Sequence, residues 1–301
     1  MHCSSPWSTR QLRLFVELRR RLVDERTRDS NRLTAWLKIY FPQALDWIDH
    51  IDSPLGCDFL ERWPTLEQLQ RAHEETIQRF FREHNSRSQT RIEERVEAIR
   101  KAVPAVHDTA LLQAGAAAAT SLIALLKALH TSIASLDQDI AQQLPKHPEA
   151  NLFAGLAGAG PVLLPRLIVA FGTHRERYES ADELAAYSGI APVTKRSGQS
   201  QSVHFRLACP KFLRQTFHEF AAHSIPVSTW AKEVYQKQRS RGAGHHAAVR
   251  TVAFKWIRVL YRCWKGRTPY DEQRYLEALK KRKAPRTSSS GPATAAGCKG
   301  D

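Results

Sequence analysis

The chain has 301 residues, which is enough for one large domain or two ordinary ones. Apolar residues make up 42% and charged residues 25%, close to the globular average, so a wholly disordered or collagen-like protein is excluded. Lysine and arginine number 45 against 30 aspartates and glutamates, and this net charge of +15 indicates a polyanionic partner, with DNA or another nucleic acid as the first candidate.

The N-terminal sequence predicts one long helix over residues 8–40. Its apolar side chains recur at helical spacing, and arginines surround them. The apolar positions are Leu12, Phe15, Val16, Leu22, Val23, Leu33 and Leu37. A broken segment, 41–64, follows and is punctuated by Pro54 and Gly56.

Residues 65–103 have the pattern of a second, long helical region. Thr65 is at its start and Gln68 follows three residues later, which is the sequence pattern of a capping box. The region is rich in Glu, Gln and Arg around an apolar stripe, so we expect one face to be buried.

A further helix is predicted over residues 108–144. Its larger apolar residues approach a heptad seam formed by Leu122, Leu125, Leu129, Leu136 and Ile140. Two arrangements fit this pattern. One is an antiparallel helical pair within the chain, and the other is a short coiled coil between protomers of a homo-oligomer.

The expected architecture is therefore mostly α, with a long helical, coiled-coil-like region followed by a compact helical module. Prolines at 145 and 148 end the third helical pattern, and we place the domain boundary there. We predict a helical region at 1–148, a DNA-binding module at 149–279 and a disordered basic tail at 280–301.

The positive charge is confined to the second part of the chain. Residues 190–283 hold 20 Lys and Arg and 5 Asp and Glu, whereas the rest of the chain holds 25 of each. A neutral body with a basic module is typical of proteins that bind a phosphate backbone. The alternative is a basic face that is simply solvated.

A glycine-rich turn stands near the start of the predicted module. Gly158 and Gly160 are followed by Pro161 at a position that suits the first turn of a helix. Such a turn resembles a helix-hairpin-helix, which grips DNA phosphates through backbone N–H groups. Pro165 should distort the helix, and the alternative role for the glycines is close packing between two helices.

A serine in a cationic loop is the candidate nucleophile. Ser180 and Glu183 cap a short helix that Gly189 ends, and a loop containing Lys195, Arg196 and Ser197 follows. Cationic neighbours favour phosphoryl transfer by a serine hydroxyl, although most loop serines have no catalytic role. We predict that Lys195 and Arg196, together with His204, stabilise charge on the phosphate.

The last predicted helix, 246–264, carries Arg250, Arg258 and Arg262 on one face, which suits a nucleic-acid backbone. We expect Lys211 and Arg214 to add to the same basic surface. The opposite face predicts a core of Val249, Val252, Ala253, Trp256, Leu260 and Trp264. A basic loop, 237–244, precedes the helix, with Tyr235 and Trp230 available to stack on bases. His245 and His246 are interpreted as polar loop residues.

The cysteines indicate reduced thiols. They are odd in number, far apart and without CxxC spacing, so they predict no zinc site. The N-terminus has no signal pattern and no run of apolar residues suggests a membrane span, so we expect a cytoplasmic, nucleoid-associated protein without a membrane partner.

Joined together, several motifs resemble one known family. They are GLAGAGPVLLPRLIVAFG at 155–172, SADELAAYSGIAPVTKRSGQS at 180–200, the CPKFLR run at 209–214 and an arginine-rich segment at 18–28. Over residues 11–279 the chain is similar to the bridge-RNA-guided insertion-sequence transposases of the IS110 and IS116 group.

This resemblance implies a two-part enzyme. An N-terminal RuvC-like domain with a DEDD set of four carboxylates holds divalent metal, expected to be Mg²⁺. A helical coiled-coil linker leads from it to a C-terminal domain whose serine becomes covalently joined to DNA. The serine is carried over to Ser197, with Ser200 and Ser188 as fallback positions. A guide RNA is a further partner that the resemblance implies.

The chain begins where the RuvC-like domain of this family would be ending, so we expect a truncated member that binds nucleic acid but cannot recombine it alone. Asp46, Asp49 and Asp52 have a D-x-x-D spacing but are interpreted as a solvated acidic turn, and no metal ligand or cofactor is predicted in this chain. The rival functions are a non-catalytic DNA-binding module and a helical oligomerisation protein.

Overall fold

The computed structural model describes residues 6–84, 88–198, 200–204 and 206–283, and these residues are mostly helical. Two compact units divide between His147 and Pro148. The N-terminal unit contains α1 (Pro6–Tyr40), α2 (Ala44–Trp47), α3 (Pro54–Arg62), α4 (Leu66–Arg71), α5 (Glu74–Glu83), α6 (Gln89–Lys101) and α7 (Thr109–Gln143).

The C-terminal unit contains α8 (Ala150–Phe153), α9 (Gly160–Phe171), α10 (Ala181–Tyr187), β1 (Val193–Ser197), β2 (Ser200–His204), α11 (Lys211–Ser224), α12 (Thr229–Ser240), α13 (His245–Gly266) and α14 (Glu272–Lys283). Short 3-10 turns follow α7 and α9. Because α14 continues to Lys283, the first part of the predicted tail is helical, and the rest of that tail lies outside the described residues.

The N-terminal unit is built on an antiparallel pair formed by α1 and α7. Arg19 donates to Asp137 at 3.0 Å, and Thr9 lies 3.0 Å from the Nε2 atom of His147. At the other end of the pair a Cβ at Gly115 would lie 2.5 Å from the ring of Tyr40. Of the two arrangements that the sequence allowed, the helical pair within the chain is therefore present.

The buried register of α7 differs from the predicted heptad seam. The buried positions are Gly115, Ala119, Ile123, Leu126, Ile133, Leu136 and Ile140. Leu125, a predicted seam residue, is 53% exposed. Leu136 and Ile140 of the predicted seam are buried, but the rest of the buried stripe uses other positions. A leucine-rich helix offers several stripes, and the facing helix selects one of them.

A layer of short helices covers the same core. Thr65 accepts a hydrogen bond from the backbone N–H of Gln68, which confirms the predicted helix start. The helical region predicted over 65–103 is present, but it is not one helix. Ala72 is extended, and Ser88 begins α6 as a separate N-cap, so the region folds as α4, α5 and α6.

Among the described residues, one helical stretch, Thr109–Lys146, is long and apolar enough to cross a membrane. This property alone is weak evidence, because core helices pass the same test. In the structure this stretch packs on α1 along its length.

The C-terminal unit is organised around α13. All six residues predicted to face the core from this helix have no exposed surface. Trp256 packs against Phe220 and Trp230, with ring centroids 5.0 and 4.6 Å away. Near the end of α13, Trp264 donates from its indole nitrogen to the carbonyl of Gly172 at 2.7 Å.

Candidate nucleic-acid interface

The candidate nucleophile lies at the turn of a β-hairpin. Strands β1 and β2 are antiparallel, and Ser197 is opposite Ser200 in their register. Gly198 follows with a φ of 58°, a value that favours glycine and permits the tight turn. The sequence analysis expected an irregular loop here. The strand signal was missed because each strand has five residues and the sheet has two strands.

Exposure separates the candidate serines. Ser197 is exposed at the turn. Ser188 is fully buried and its hydroxyl donates to the carbonyl of Ala185 at 3.2 Å, so the folded protein does not offer this fallback serine to a ligand. The side chains of Ser200, Lys195 and Arg196 lie outside the described part of the structure.

The hairpin register separates His204 from Ser197. His204 is opposite Val193, four positions from the Ser197–Ser200 pair. At a rise of about 3.3 Å per residue, this corresponds to about 13 Å along the strand. This spacing does not by itself bring His204 to the phosphate at Ser197, and its assistance there stays a prediction.

The hairpin is attached at both ends to helices. Ser180 accepts from the backbone N–H of Glu183 at 3.0 Å, which confirms the predicted cap of α10. Gly189 ends that helix with a φ of 72°, and a Cβ there would lie 2.4 Å from the Sγ of Cys209. This close approach connects the chain before β1 with the chain after β2.

The basic residues after the hairpin lie at the start of α11. Lys211 is the first helical residue and is exposed, whereas Arg214 is partly buried and makes an interaction of its own. Lys211 is thus accessible for a phosphate contact. Arg214 would have to exchange an existing partner.

The predicted arginine stripe on α13 is not uniform. Arg258 donates to Asp182 at 2.9 and 3.1 Å and stacks over Phe254, with its guanidinium carbon 4.6 Å from the ring centroid. Arg262 is exposed one turn later. Arg250 is partly buried near the other end of the helix and interacts with His218.

Two grooves flank Arg258 and Arg262. The larger, about 660 Å³, lies between α13 and α14 and combines apolar walls with further basic side chains, Lys255 and Arg274. The smaller extends towards the start of α10 and includes Asp182. A basic rim around an apolar groove can contact both the phosphates and the bases of a nucleic acid.

The glycine turn before α9 has two different glycines. Gly158 has a φ of 83°, and a Cβ there would lie 2.7 Å from the backbone oxygen of His223. Gly160 has a φ of 52° and open space around it. Gly158 is therefore required for packing against α11, while Gly160 is at the N-terminus of α9 and remains the accessible member of the predicted phosphate grip.

The two aromatic residues proposed for base stacking have different positions. Trp230 is 2% exposed and donates to the hydroxyl of Tyr270 at 2.9 Å, so its predicted stacking role is wrong. Tyr235 is partly exposed, with its hydroxyl 2.9 Å from the Nδ1 atom of His245. In the basic turn before α13, Arg239 donates to the carbonyl of Ala243.

The described residues do not fit a divalent metal ion. They contain no group of three or more His, Cys, Asp or Glu side chains that could hold one. In the D-x-x-D segment, Asp46 and Asp49 are exposed, while Asp52 lies 3.6 Å from the Nε atom of Arg26. No reaction step is assigned to a metal in this chain.

A buried arginine in α9 was missed at the level of sequence. Arg166 is 4% exposed, ion-pairs with Glu219 and donates to the hydroxyl of Thr216 at 3.2 Å. These contacts connect α9 to α11. The signal was a single cation within the apolar run PVLLPRLIVAF, where a buried charge needs a partner.

Comparisons with known proteins give a consistent relationship. Residues 150–236 match the family described as "Transposase IS116/IS110/IS902 family". A protein named as a candidate transposase of the IS117 mini-circle of Streptomyces coelicolor is 29% identical over 162 residues, which cover 52% of this chain and 39% of that protein.

Two further relatives extend the comparison. The "Insertion element IS110 uncharacterized 43.6 kDa protein" of Streptomyces coelicolor is 26% identical over 88% of this chain and 65% of its own length. The "Pilin gene-inverting protein" of Moraxella bovis is 41% identical over 73 residues, or 23% of this chain and 22% of that protein.

The chain thus spans less than two thirds of the length of each of these relatives. The matched region 150–236 includes the glycine turn, the β-hairpin and helices α11 and α12. Residues 150–236 thus match the IS116/IS110/IS902 transposase family, and relatives from insertion elements IS110, IS900 and IS116 are similar to this chain along most of its length.

Proposed function

We propose that this protein takes part in DNA transposition, with the C-terminal unit binding DNA and presenting Ser197 to a phosphodiester for strand exchange. The observation that carries the proposal is the exposed position of Ser197 at a glycine-supported hairpin turn. The names of the relatives, a candidate transposase and a gene-inverting protein, support a transposase or recombinase role.

The reaction would be a direct exchange of phosphate esters. The Ser197 Oγ attacks phosphorus and forms an Oγ–P bond, while one of the two bridging P–O bonds to deoxyribose breaks. The serine proton passes to solvent, and the departing deoxyribose oxygen takes up a proton. A second deoxyribose hydroxyl reverses the step, which joins a new strand and restores the serine.

The basic surface would supply binding and charge stabilisation. Lys195 and Arg196 adjoin the serine in sequence, and Lys211 and Arg262 are exposed on α11 and α13. Cations near the attacked phosphate stabilise the negative charge that develops in the transition state. We assign the same role to Gly160, whose turn would offer backbone N–H groups to a neighbouring phosphate.

The proposal extends to partners and location. A guide RNA would bind the same basic unit, and copies of the chain would associate through the long helices of the N-terminal unit. The whole enzyme would require a divalent ion, Mg²⁺, coordinated by carboxylates other than those described here. The working compartment would be the cytoplasm, in association with the nucleoid.

A strand-exchange assay tests the reaction. The purified chain is incubated with labelled donor and target DNA, alone and mixed with a separately produced RuvC-like fragment. We expect DNA binding by the chain alone, and covalent adduct and recombinant product only in the mixture. Recombination by the chain alone would contradict the division of labour proposed here.

Two serine variants serve as a matched pair. Ser197→Ala should abolish the covalent adduct and retain DNA affinity, whereas Ser200→Ala, opposite it in the hairpin, should retain both. Adduct formation by Ser197→Ala would refute the assigned nucleophile. DNA affinity that does not fall with rising salt would refute the phosphate-binding surface and favour an oligomerisation role.

A further inference from the structure

Three histidines of the C-terminal unit meet where α11 packs against α13. His218 is in the middle of α11, and His245 and His246 are the first two residues of α13. The sequence analysis interpreted the latter two as loop residues, whereas the structure places them in the helix. We refer to His218, His245 and His246 as the histidine cluster.

The imidazoles of the histidine cluster are in direct contact. The Nδ1 atom of His246 lies 3.4 Å from the Nε2 atom of His218, and the ring centroids of His245 and His246 are 5.0 Å apart. From α12, the hydroxyl of Tyr235 lies 2.9 Å from the Nδ1 atom of His245. Two facing imidazole nitrogens can share a hydrogen bond only while at least one ring is neutral.

The surroundings of the cluster are cationic. Arg250 follows His246 by one turn of α13, and both residues act electrostatically on His218. The acidic group that acts on His218 is Glu219, which already forms an ion pair with Arg166 from α9. The cluster therefore has positive neighbours on α13 and a carboxylate whose charge is compensated.

This environment disfavours protonation of His218 in the free protein. Burial lowers the pKa of His218 below its usual range, and the neighbouring His246, Arg250 and His245 lower it further, against a smaller opposing effect of Glu219. An anion bound beside these rings would reverse the balance, because an opposite charge favours the protonated imidazole.

We infer that the histidine cluster and Arg250 form a binding site for a DNA phosphodiester, and that DNA binds there more tightly when the imidazoles are protonated. The inference rests on the DNA-binding role proposed above. A phosphate is the ligand that this chemistry favours, because its oxygens accept from imidazole and guanidinium donors and compensate their charge. Lys237 and Arg241, exposed in and beside the turn that leads into α13, extend the positive surface along the path of a DNA strand.

The coupling has a definite sign. If DNA raises the pKa of a histidine in the cluster, then by reciprocity protonation of that histidine raises the affinity for DNA. A rise of one pKa unit corresponds to a gain of about tenfold in affinity once the pH lies below the pKa of both the free and the bound form. Because the pKa of His218 is lowered in the free protein, affinity should increase as the pH falls from about 8 to about 6 and should approach the full gain only at lower pH.

Fluorescence anisotropy with a short labelled DNA duplex measures this effect at constant ionic strength. The whole chain is compared with His245→Gln/His246→Gln, which changes two exposed side chains, and with His218→Gln. His174→Gln, an exposed histidine outside the cluster, is the matched control. We expect the wild type and the control to show the full pH dependence, and the cluster variants to lose most of it while retaining binding at high pH.

Histidine proton resonances give a second measurement that is independent of catalysis. Addition of the duplex should raise the pKa of at least one cluster histidine, and Arg250→Gln should reduce this rise. DNA binding with a flat pH profile, or an unchanged profile in His245→Gln/His246→Gln, would overturn the inference and leave the proposed function standing. Absence of DNA binding at every pH would overturn both.

Discussion

Replacement of Gly158 by alanine tests whether the glycine turn is a packing element or a DNA contact. The residue has a φ of 83°, and a Cβ would lie 2.7 Å from the carbonyl oxygen of His223 and within 3.0 Å of two further backbone atoms of α11. Backbone atoms cannot move aside as the end of a flexible side chain does. The turn or α11 must therefore shift.

Two costs add at this position. An L-residue in the left-handed region costs about 1–2 kcal/mol. The forced separation of packed elements costs about 1–3 kcal/mol. Gly158→Ala should therefore destabilise the C-terminal unit by about 3 kcal/mol. Gly160→Ala, with a φ of 52° and open space around it, incurs the first cost alone, at about 1 kcal/mol.

The two variants can be compared by urea unfolding, followed by tryptophan fluorescence, with hydrogen exchange in α11 to assign the loss to the C-terminal unit. A difference of about 2 kcal/mol corresponds to about 4–8 °C in the melting temperature of a unit of this size. Stabilities of Gly158→Ala and wild type that agree within about 0.5 kcal/mol would refute the packing argument. A loss of DNA affinity in a well-folded Gly160→Ala would support the predicted phosphate grip.

Other expectations concern stability and charge. Trp230→Phe should destabilise the C-terminal unit, because the hydrogen bond to Tyr270 is lost, while DNA affinity measured on the folded variant stays unchanged; a large loss of affinity would restore its stacking role. Arg262→Gln should weaken binding to all DNA sequences alike and reduce the salt slope by about one, and an unchanged slope would place this residue outside the interface. In the N-terminal unit desolvation lowers the pKa of His84, but hydrogen bonds to Asp58 and to a backbone carbonyl raise it overall. A histidine whose pKa is raised on folding stabilises the protein when the pH is below its pKa in the unfolded chain, and this stabilisation is lost as the pH rises through its pKa in the folded protein. Asp58→Asn should therefore cost more stability at about pH 6 than at about pH 8 in chemical denaturation. An equal cost at both would show that the pair is not linked to protonation.

The contribution of His218 to the stability of the C-terminal unit should depend on pH with the opposite sign. Because the pKa of His218 is lowered in the folded protein, its contribution to stability is present above the unfolded pKa and is lost as the pH falls towards the folded pKa. His218→Gln should therefore reduce the acid sensitivity of this unit in unfolding experiments without DNA. Identical acid profiles would contradict the buried environment assigned to this side chain.

Local features of the chain could be predicted because they depend on neighbours in sequence. The long helix at the N-terminus and the helix beginning after Asp108 follow from apolar periodicity, and the starts at Thr65 and Ser180 follow from side chains that cap the next turn. The buried face of α13 could also be predicted from the sequence, since its tryptophans and valines recur at helical spacing. The confinement of positive charge to residues 190–283 is a property of composition and needs no fold.

The amino-acid sequence by itself determined the helical character, the caps, the basic region and the identity of the serine candidate. Tertiary structure decided which face of α7 is buried, that Ser188 is enclosed while Ser197 is exposed, and that His218 meets His246 across 28 residues of sequence. These outcomes depend on contacts between segments that are distant along the chain. The periodicity of the sequence does not determine which partner a helix face or an imidazole will contact. That information is present only in the packed molecule.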